Sequence, residues 1–322
     1  MRVSKKSDWN KFNEMRYPKK RFAVLSGVLL VTCFSFFSDV KFGSEYLRIL
    51  QLYRRGDDFR NPVVPPVMHT YYAKKLEHLQ DEWDTQEHED MLQFWQSQWE
   101  NVGWNTRILT QEDAKLHPMY ETYQTALDQL NVSSYNHFCF HRWLAMSVTG
   151  GGWMSDYDVV PLHMEQLLQN LNVGEGELPH DGKFTSFCST VPCLMVGSAD
   201  EWDRVIGKLM SYVPEYRNEH FSDMFAMFRY FRSNTNSFRV YNKVHSHLKL
   251  LDSSHLDCDA YKGQIAWHFS HHAYHAAIKS QIITSPPPHA KSRAWYMSLF
   301  LEKWHEQCRN RMNRRKSSKY KI

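Results

Sequence analysis

The chain has 322 residues, 42% of them apolar, with 13 Gly and 12 Pro, a composition that excludes collagen-like, low-complexity and wholly disordered polymers. Its formal charge of +4 divides unevenly: +6 over residues 1–21, +7 over 309–322 and −9 across the body between them. An acidic body is a poor match for a phosphate backbone, so no nucleic-acid partner is expected.

In chain order, residues 1–21 form a basic tail and Phe22–Phe37 reads FAVLSGVLLVTCFSFF, sixteen residues without a charge. A helix of that length spans roughly 24 Å, enough for a thin bilayer. The long basic lead-in and the lack of a small-residue cleavage site favour an uncleaved anchor over a signal peptide. The positive-inside rule then predicts a single-pass, type II protein with a cytosolic tail at 1–21, the transmembrane helix at 22–37 and everything later in the lumen. Residues 38–66, polar and ending in NPVVPP, read as a stem. Residues 67–308 read as the luminal domain, and 309–322 as a basic, solvated tail. Downstream of the anchor stand Cys139, Cys188, Cys193, Cys258 and Cys308. An oxidising lumen permits two disulfides among them; Cys188 and Cys193 are close enough to pair, and the connectivity stays open. Asn131-Val132-Ser133 is a glycosylation sequon.

Within the domain, Val67–Tyr72 is expected as a first strand and Glu87–Val102 as an amphipathic helix with Met91, Leu92, Trp95, Trp99 and Val102 on one face. Trp104–Leu109 follows as a strand, and Thr110-Gln-Glu-Asp as a capping box opening more helix. A helix over His137–Thr149 is stopped by Gly150-Gly151-Gly152, and Trp153–Tyr157 begins a strand. Phe184–Cys188 and Cys193–Gly197 read as a strand pair, Asp200–Tyr212 and His220–Phe231 as helices, Phe238–Tyr241 and Gln264–Phe269 as strands, and Ser292–Gln307 as a last helix. Strands alternating with helices predict an α/β sandwich with a mostly parallel central sheet. Fifteen per cent aromatic residues, 11 of them Trp, predict a sizeable core and flat surfaces for stacking.

The most informative stretch is GGGWMSDYDVVPL, Gly150–Leu162. Asp156 and Asp158 stand two positions apart, and in a strand they would point the same way. Two carboxylates that close repel unless a cation intervenes, and a hard divalent ion removes that cost while keeping positions open for a diphosphate. Gly151 and Gly152 would allow a ligand close to the backbone. The competing reading is a solvated surface turn.

Together with Arg142-Trp143-Leu144, this block resembles the Arg…Leu…Gly-Gly-x-x-x-Asp-x-Asp segment of the DXD sugar-binding glycosyltransferases, the group that includes the Golgi α-1,6-mannosyltransferases and α-1,4-galactosyltransferases. That family usually has an acid three positions before the Arg, where Cys139 stands here. The resemblance implies a GT-A-like, Rossmann-type α/β sandwich behind a Golgi anchor. It also implies a retaining, metal-dependent hexosyltransferase using a UDP- or GDP-linked nucleotide sugar and a glycan acceptor. Asp158 would then hold Mn²⁺, Asp156 the ribose and the same ion, and Arg142 the donor sugar or a phosphate. His268, in Ala266-Trp-His-Phe-Ser-His-His272, looks like the late histidine that completes such a metal sphere, with His271 as fallback and Lys279 as a diphosphate contact. Two carboxylates with an imidazole suit Mn²⁺ better than Ca²⁺. Asp223, in Ser222-Asp223-Met224 at a helix start, would bind acceptor hydroxyls, and Ser198 is a further acceptor contact. The other readings are a Ca²⁺-dependent, membrane-anchored lectin, a metal-dependent nucleotide-sugar hydrolase, and a family member that has lost activity.

Overall fold

A computed structural model of the protein describes residues 65–73, 85–130, 132–171, 173, 176–216, 221–246, 255–279 and 293–309. The expected anchor, nearly all of the stem, the sequon's Asn131 and the basic tail beyond Arg309 lie outside the described residues. Among the described residues no helix is long and apolar enough to cross a membrane.

The architecture is mixed α/β. Strands β1 (Val67–Tyr71), β2 (Asn105–Leu109), β3 (Gly151–Ser155), β5 (Thr185–Ser186), β6 (Leu194–Ser198) and β7 (Arg239–Val240) form a sheet in the order β2-β1-β3-β6-β5-β7. Three of its five pairings are parallel, β1 with β2, β1 with β3 and β5 with β7, and the two made by β6 are antiparallel. The expectation of a mostly parallel central sheet therefore holds. A second sheet, β4-β9-β8, joins β4 (Val159–Pro161) antiparallel to β9 (Ala266–His268), which lies parallel to β8 (Val244–His245).

Both faces of the large sheet are apolar, as a mostly parallel sheet covered on two sides requires. On β3, Met154 enters one core with Trp143, Phe184 and Trp202, while its neighbour Trp153 enters another with Trp95, Trp99 and Trp104. Helices α1 (Thr85–Glu100), α2 (Gln111–Lys115), α3 (Tyr120–Gln129), α4 (Ser134–Val148), α5 (Met164–Asn170), α6 (Ala199–Met210) and α7 (Asp223–Ser233) are interleaved with these strands. A third core, built around Trp267, Phe269, Phe300 and Trp304, receives β9, α8 (His271–Lys279) and α9 (Arg293–Lys303), whose last turn widens to a π-helix at Trp304–Arg309. Eight of the eleven tryptophans are buried in these cores. Most of the tryptophan excess thus builds the interior, while Tyr135, Phe225 and Phe228 are exposed.

The helix starts follow their sequence signals. At α2 the Thr110 N–H donates to Asp113 Oδ2 at 2.8 Å, closing the expected capping box. Ser133, Ser198 and Ser222 each accept a backbone N–H three residues on, at the starts of α4, α6 and α7. Ser198 is thus occupied as a cap.

The cysteine expectation is corrected. The disulfide joins Cys258 to Cys308, with Cα atoms 5.2 Å apart, while Cys139, Cys188 and Cys193 are thiols.

Candidate metal centre

The site begins where β3 ends. The strand expected over Trp153–Tyr157 ends at Ser155, and Asp156 and Asp158 lie in the turn from β3 to β4. The Val159 N–H donates to the Asp156 carbonyl at 3.0 Å and closes that turn, and the Asp156 N–H is held by the Cys193 carbonyl at 2.9 Å. The two carboxylates nevertheless converge. One oxygen from each, and a ring nitrogen of His268, lie within 4.8 Å of one another. The second sheet delivers the imidazole: β9 pairs with β4 so that His268 stands opposite Val159, and the Phe269 N–H donates to the Asp158 carbonyl at 2.9 Å.

Three cationic side chains surround the acids. Arg142, on α4, is 8% exposed and so is no helix-surface charge. Its Nη1 donates to Asp156 Oδ1 at 2.6 Å, and its Nε donates both to Asp223 Oδ2 at 3.1 Å and to the Cys139 carbonyl. Cys139 therefore offers this arginine only a backbone oxygen, and α7 supplies the carboxylate. Asp223 is 2% exposed and also accepts from Trp143 Nε1 at 3.0 Å. Arg293, 2% exposed at the start of α9, reaches Asp158 Oδ2 at 3.1 Å and Glu87 at 2.8 Å. His268 Nε2 stands 3.2 Å from Asp158 Oδ1. That oxygen is buried and accepts no well-formed hydrogen bond. A buried carboxylate oxygen left in this condition, beside a second acid and an imidazole, fits a divalent ion.

The electrostatics differ between the two acids. Burial raises the Asp156 pKa, outweighing Arg142, to about 6. Burial also works against the charge of Asp158, but His268 and Arg293 outweigh it and hold that carboxyl well below the usual range. In return Asp158 overcomes the burial of His268 and holds the imidazole protonated far above its ordinary pKa. An incoming cation would take the place of that proton.

The other anticipated residues are not part of this cluster of ligand atoms, although His271 feels the charges of Arg293, Glu87 and Asp158. Gly151 and Gly152 sit at the opposite end of β3, roughly 16 Å along the strand at the usual rise per residue. Gly151 has φ +75°, and a Cβ there would come within 2.5 Å of the Ala199 backbone nitrogen. The close approach that its lack of a side chain permits is to the start of α6, not to a ligand. His271 opens α8 and meets His275 one turn on at 3.0 Å, and Lys279 is exposed at that helix's far end. Sequence reasoning missed Arg293 and Glu87. It also missed that Cys188 and Cys193 come within 4.8 Å of the same His268. A hydrogen bond from Cys193 lowers the Cys188 thiol, while burial raises Cys193. Burial pushes the Cys139 thiol up to about 12, away from the thiolate form.

Fold and site together define a mixed α/β protein with a carboxylate–imidazole centre at the carboxyl end of a central strand. The chain belongs to the family described as a domain of unknown function (DUF8765), whose profile matches residues 61–261. The matched span holds Arg142, Asp156, Asp158 and Asp223 and stops short of His268 and Arg293. No curated protein matches the chain.

Proposed function

We propose that the protein is a metal-dependent glycosyltransferase of GT-A-like fold that moves a hexose from a UDP- or GDP-linked sugar to a glycan acceptor with retention of configuration. The observation that carries this reading is the convergence of Asp156, Asp158 and His268 at the carboxyl end of β3, beside parallel strands. In open α/β sheets that is the edge where nucleotides bind. Asp158 Oδ1, Asp156 and His268 would hold Mn²⁺, a donor set too rich in nitrogen for Ca²⁺, which weighs against a lectin. A phosphohydrolase of the two-metal kind would need a second carboxylate set at this edge, and Asp223 is already engaged by Arg142 and Trp143.

When bound, the ion supplies Lewis-acid stabilisation to a departing diphosphate. Arg142 fixes Asp156 through its fork and sets a positive charge behind the turn, where it would offset the charge of a departing diphosphate. Arg293 and Glu87 clamp Asp158 from behind, so the turn presents its remaining oxygen in one orientation. Asp223, nearly sealed, is a positioning group for Arg142, and the acceptor-contact role expected of it is not part of this proposal. No side chain near the turn is a free carboxylate nucleophile among the described residues, which favours front-face substitution with the leaving phosphate taking the acceptor proton. The Cys258–Cys308 bond agrees with an oxidising compartment, and so supports a Golgi-lumenal domain behind a type II anchor.

The test is thermal stability of the full chain with UDP- and GDP-sugars, with and without Mn²⁺. Expected is a rise in Tm that needs nucleotide and ion together, and its loss in Asp158→Asn. A nucleotide shift indifferent to Mn²⁺, or an Asp158→Asn protein that retains the ion-dependent shift, would overturn the reading.

A further inference from the structure

The two thiols beside the acidic turn have no part in that chemistry, yet they are placed with unusual definition. Strands β5 and β6 pair antiparallel with Thr185 opposite Val196 and Ser186 opposite Met195, so the same register continued sets Cys188 opposite Cys193. The Phe187 N–H donates to the Leu194 carbonyl at 2.9 Å, which carries the pairing to that point. The intervening loop is tight: the Val191 N–H donates to the Cys188 carbonyl at 3.0 Å, the Cys193 N–H to the Val191 carbonyl at 2.8 Å, and Ser189 takes φ +56°. Both sulfurs and a ring nitrogen of His268 lie mutually within 4.8 Å, and all three residues are buried.

We infer that Cys188, Cys193 and His268 form a binding site for a soft divalent ion, Zn²⁺ by chemistry, distinct from the carboxylate pair and sharing only the imidazole with it. Cys-x₄-Cys is a ligand spacing typical of zinc, and two thiolates with an imidazole are the donors zinc prefers over Mn²⁺ or Ca²⁺. Asp158 Oδ1 stands 3.2 Å from His268 Nε2, an ion-pair contact that holds the ring beside the two thiols. Three protein ligands leave the fourth position of a tetrahedron open. The ion would tie the β5–β6 hairpin of the large sheet to β9 of the small one. The inference stands whether or not the aspartates carry Mn²⁺.

The experiment uses the full chain, stripped with chelator and titrated with Co²⁺ and then Zn²⁺. Expected is a thiolate-to-cobalt charge-transfer band with tetrahedral visible absorption, both bleached by Zn²⁺. Cys188→Ser and Cys193→Ser should each weaken binding by at least about 10-fold, while Cys139→Ser leaves it unchanged. Should the serine variants fail to fold, the native chain still reports: Zn²⁺ should protect Cys188 and Cys193, but not Cys139, from alkylation in mild urea. No thiolate band at excess metal, a band that survives both serine substitutions, equal alkylation with and without Zn²⁺, or a Cys188–Cys193 disulfide found by peptide mapping would each overturn the site. Loss of Mn²⁺-dependent nucleotide binding with the thiolate band intact would instead count against the transferase reading alone.

Discussion

His141 shows how a side chain remote from the metal centre sets the pH range of the fold. It lies on α4, 2% exposed, its ring 4.9 Å from that of Tyr120; Nε2 donates to Gln124 Oε1 at 2.9 Å, while Nδ1 is buried without a partner. Burial, with His137 and Lys115 adding to it, lowers its pKa from 6.5 to about 4. Above pH 6.5 neither folded nor unfolded chain carries this proton, so His141 has no effect there. As pH falls from 6.5 toward about 4 the unfolded chain takes up a proton the folded one refuses, and stability drops by up to roughly 1.4 kcal/mol per pH unit. His268 has the opposite sign, because its raised pKa stabilises the fold fully below 6.5, and that contribution declines as pH rises from 6.5 through the raised folded value. Urea denaturation at several pH values should show a shallower acid loss in His141→Gln than in the parent; equal slopes would refute the assignment. At this scale the site was partly legible. Arg142, Asp156, Asp158 and Asp223 sit in short segments whose local pattern marks them. Arg293 and Glu87 do not, since their ion pair spans 206 positions and neither residue has a neighbouring motif.

Among the elements, β3 and the turn after it separate what pattern can and cannot reveal. The strand was legible because its apolar residues serve two cores and a run of glycines ends the preceding helix. The turn stayed open in the sequence: Asp-x-Asp spacing satisfies strand periodicity and a turn equally well, and the Val159–Asp156 hydrogen bond distinguishes them. Strands β4 and β8 have three and two residues, too short for any period, whereas β9 lies within the strand expected at Gln264–Phe269; β4 and β9 together seat His268 against the acids. The glycines carry a role that sequence assigned to a ligand. Gly151→Ala would put a methyl group 2.5 Å from the Ala199 nitrogen and 2.6 Å from the Ser198 carbonyl carbon, on a residue at φ +75°. Backbone atoms cannot swing aside as a side chain can. The clash and the unfavourable φ should together cost roughly 2–4 kcal/mol. Gly150→Ala, at φ +99° with nothing near its Cβ, should cost less, since it carries only the backbone strain. Chemical denaturation of the two variants tests the ranking, and an equal loss would remove the packing argument.

For the molecule as a whole, the carboxyl-terminal segment is what completes the site. The third core holds Trp267 and Phe269 of the β9 region together with Ala294, Met297, Phe300 and Trp304 from α9 and its continuation. Packing those side chains places Arg293 behind Asp158. The Cys258–Cys308 bond fastens the end of that segment to the loop before β9, across a separation of 50 residues. Sequence distance had pointed to Cys188 and Cys193, but proximity along the chain does not choose a partner; the third core brings together two cysteines far apart in sequence. A loop of this length, closed in the unfolded state, loses conformational entropy equivalent to about 4 kcal/mol on the chain-entropy account. Reduction, or the Cys258→Ser/Cys308→Ser double variant, should therefore lower the unfolding free energy by an amount of that order, read as a lower denaturation midpoint. It should also loosen α9 before the large sheet unfolds, because the bond lies wholly within the third core. Hydrogen exchange would show the difference: protection lost first at residues 293–303 and retained on β3 and β6. Uniform loss across both would mean that the segment and the sheet unfold as one unit, and that the clamp behind Asp158 does not depend on the crosslink.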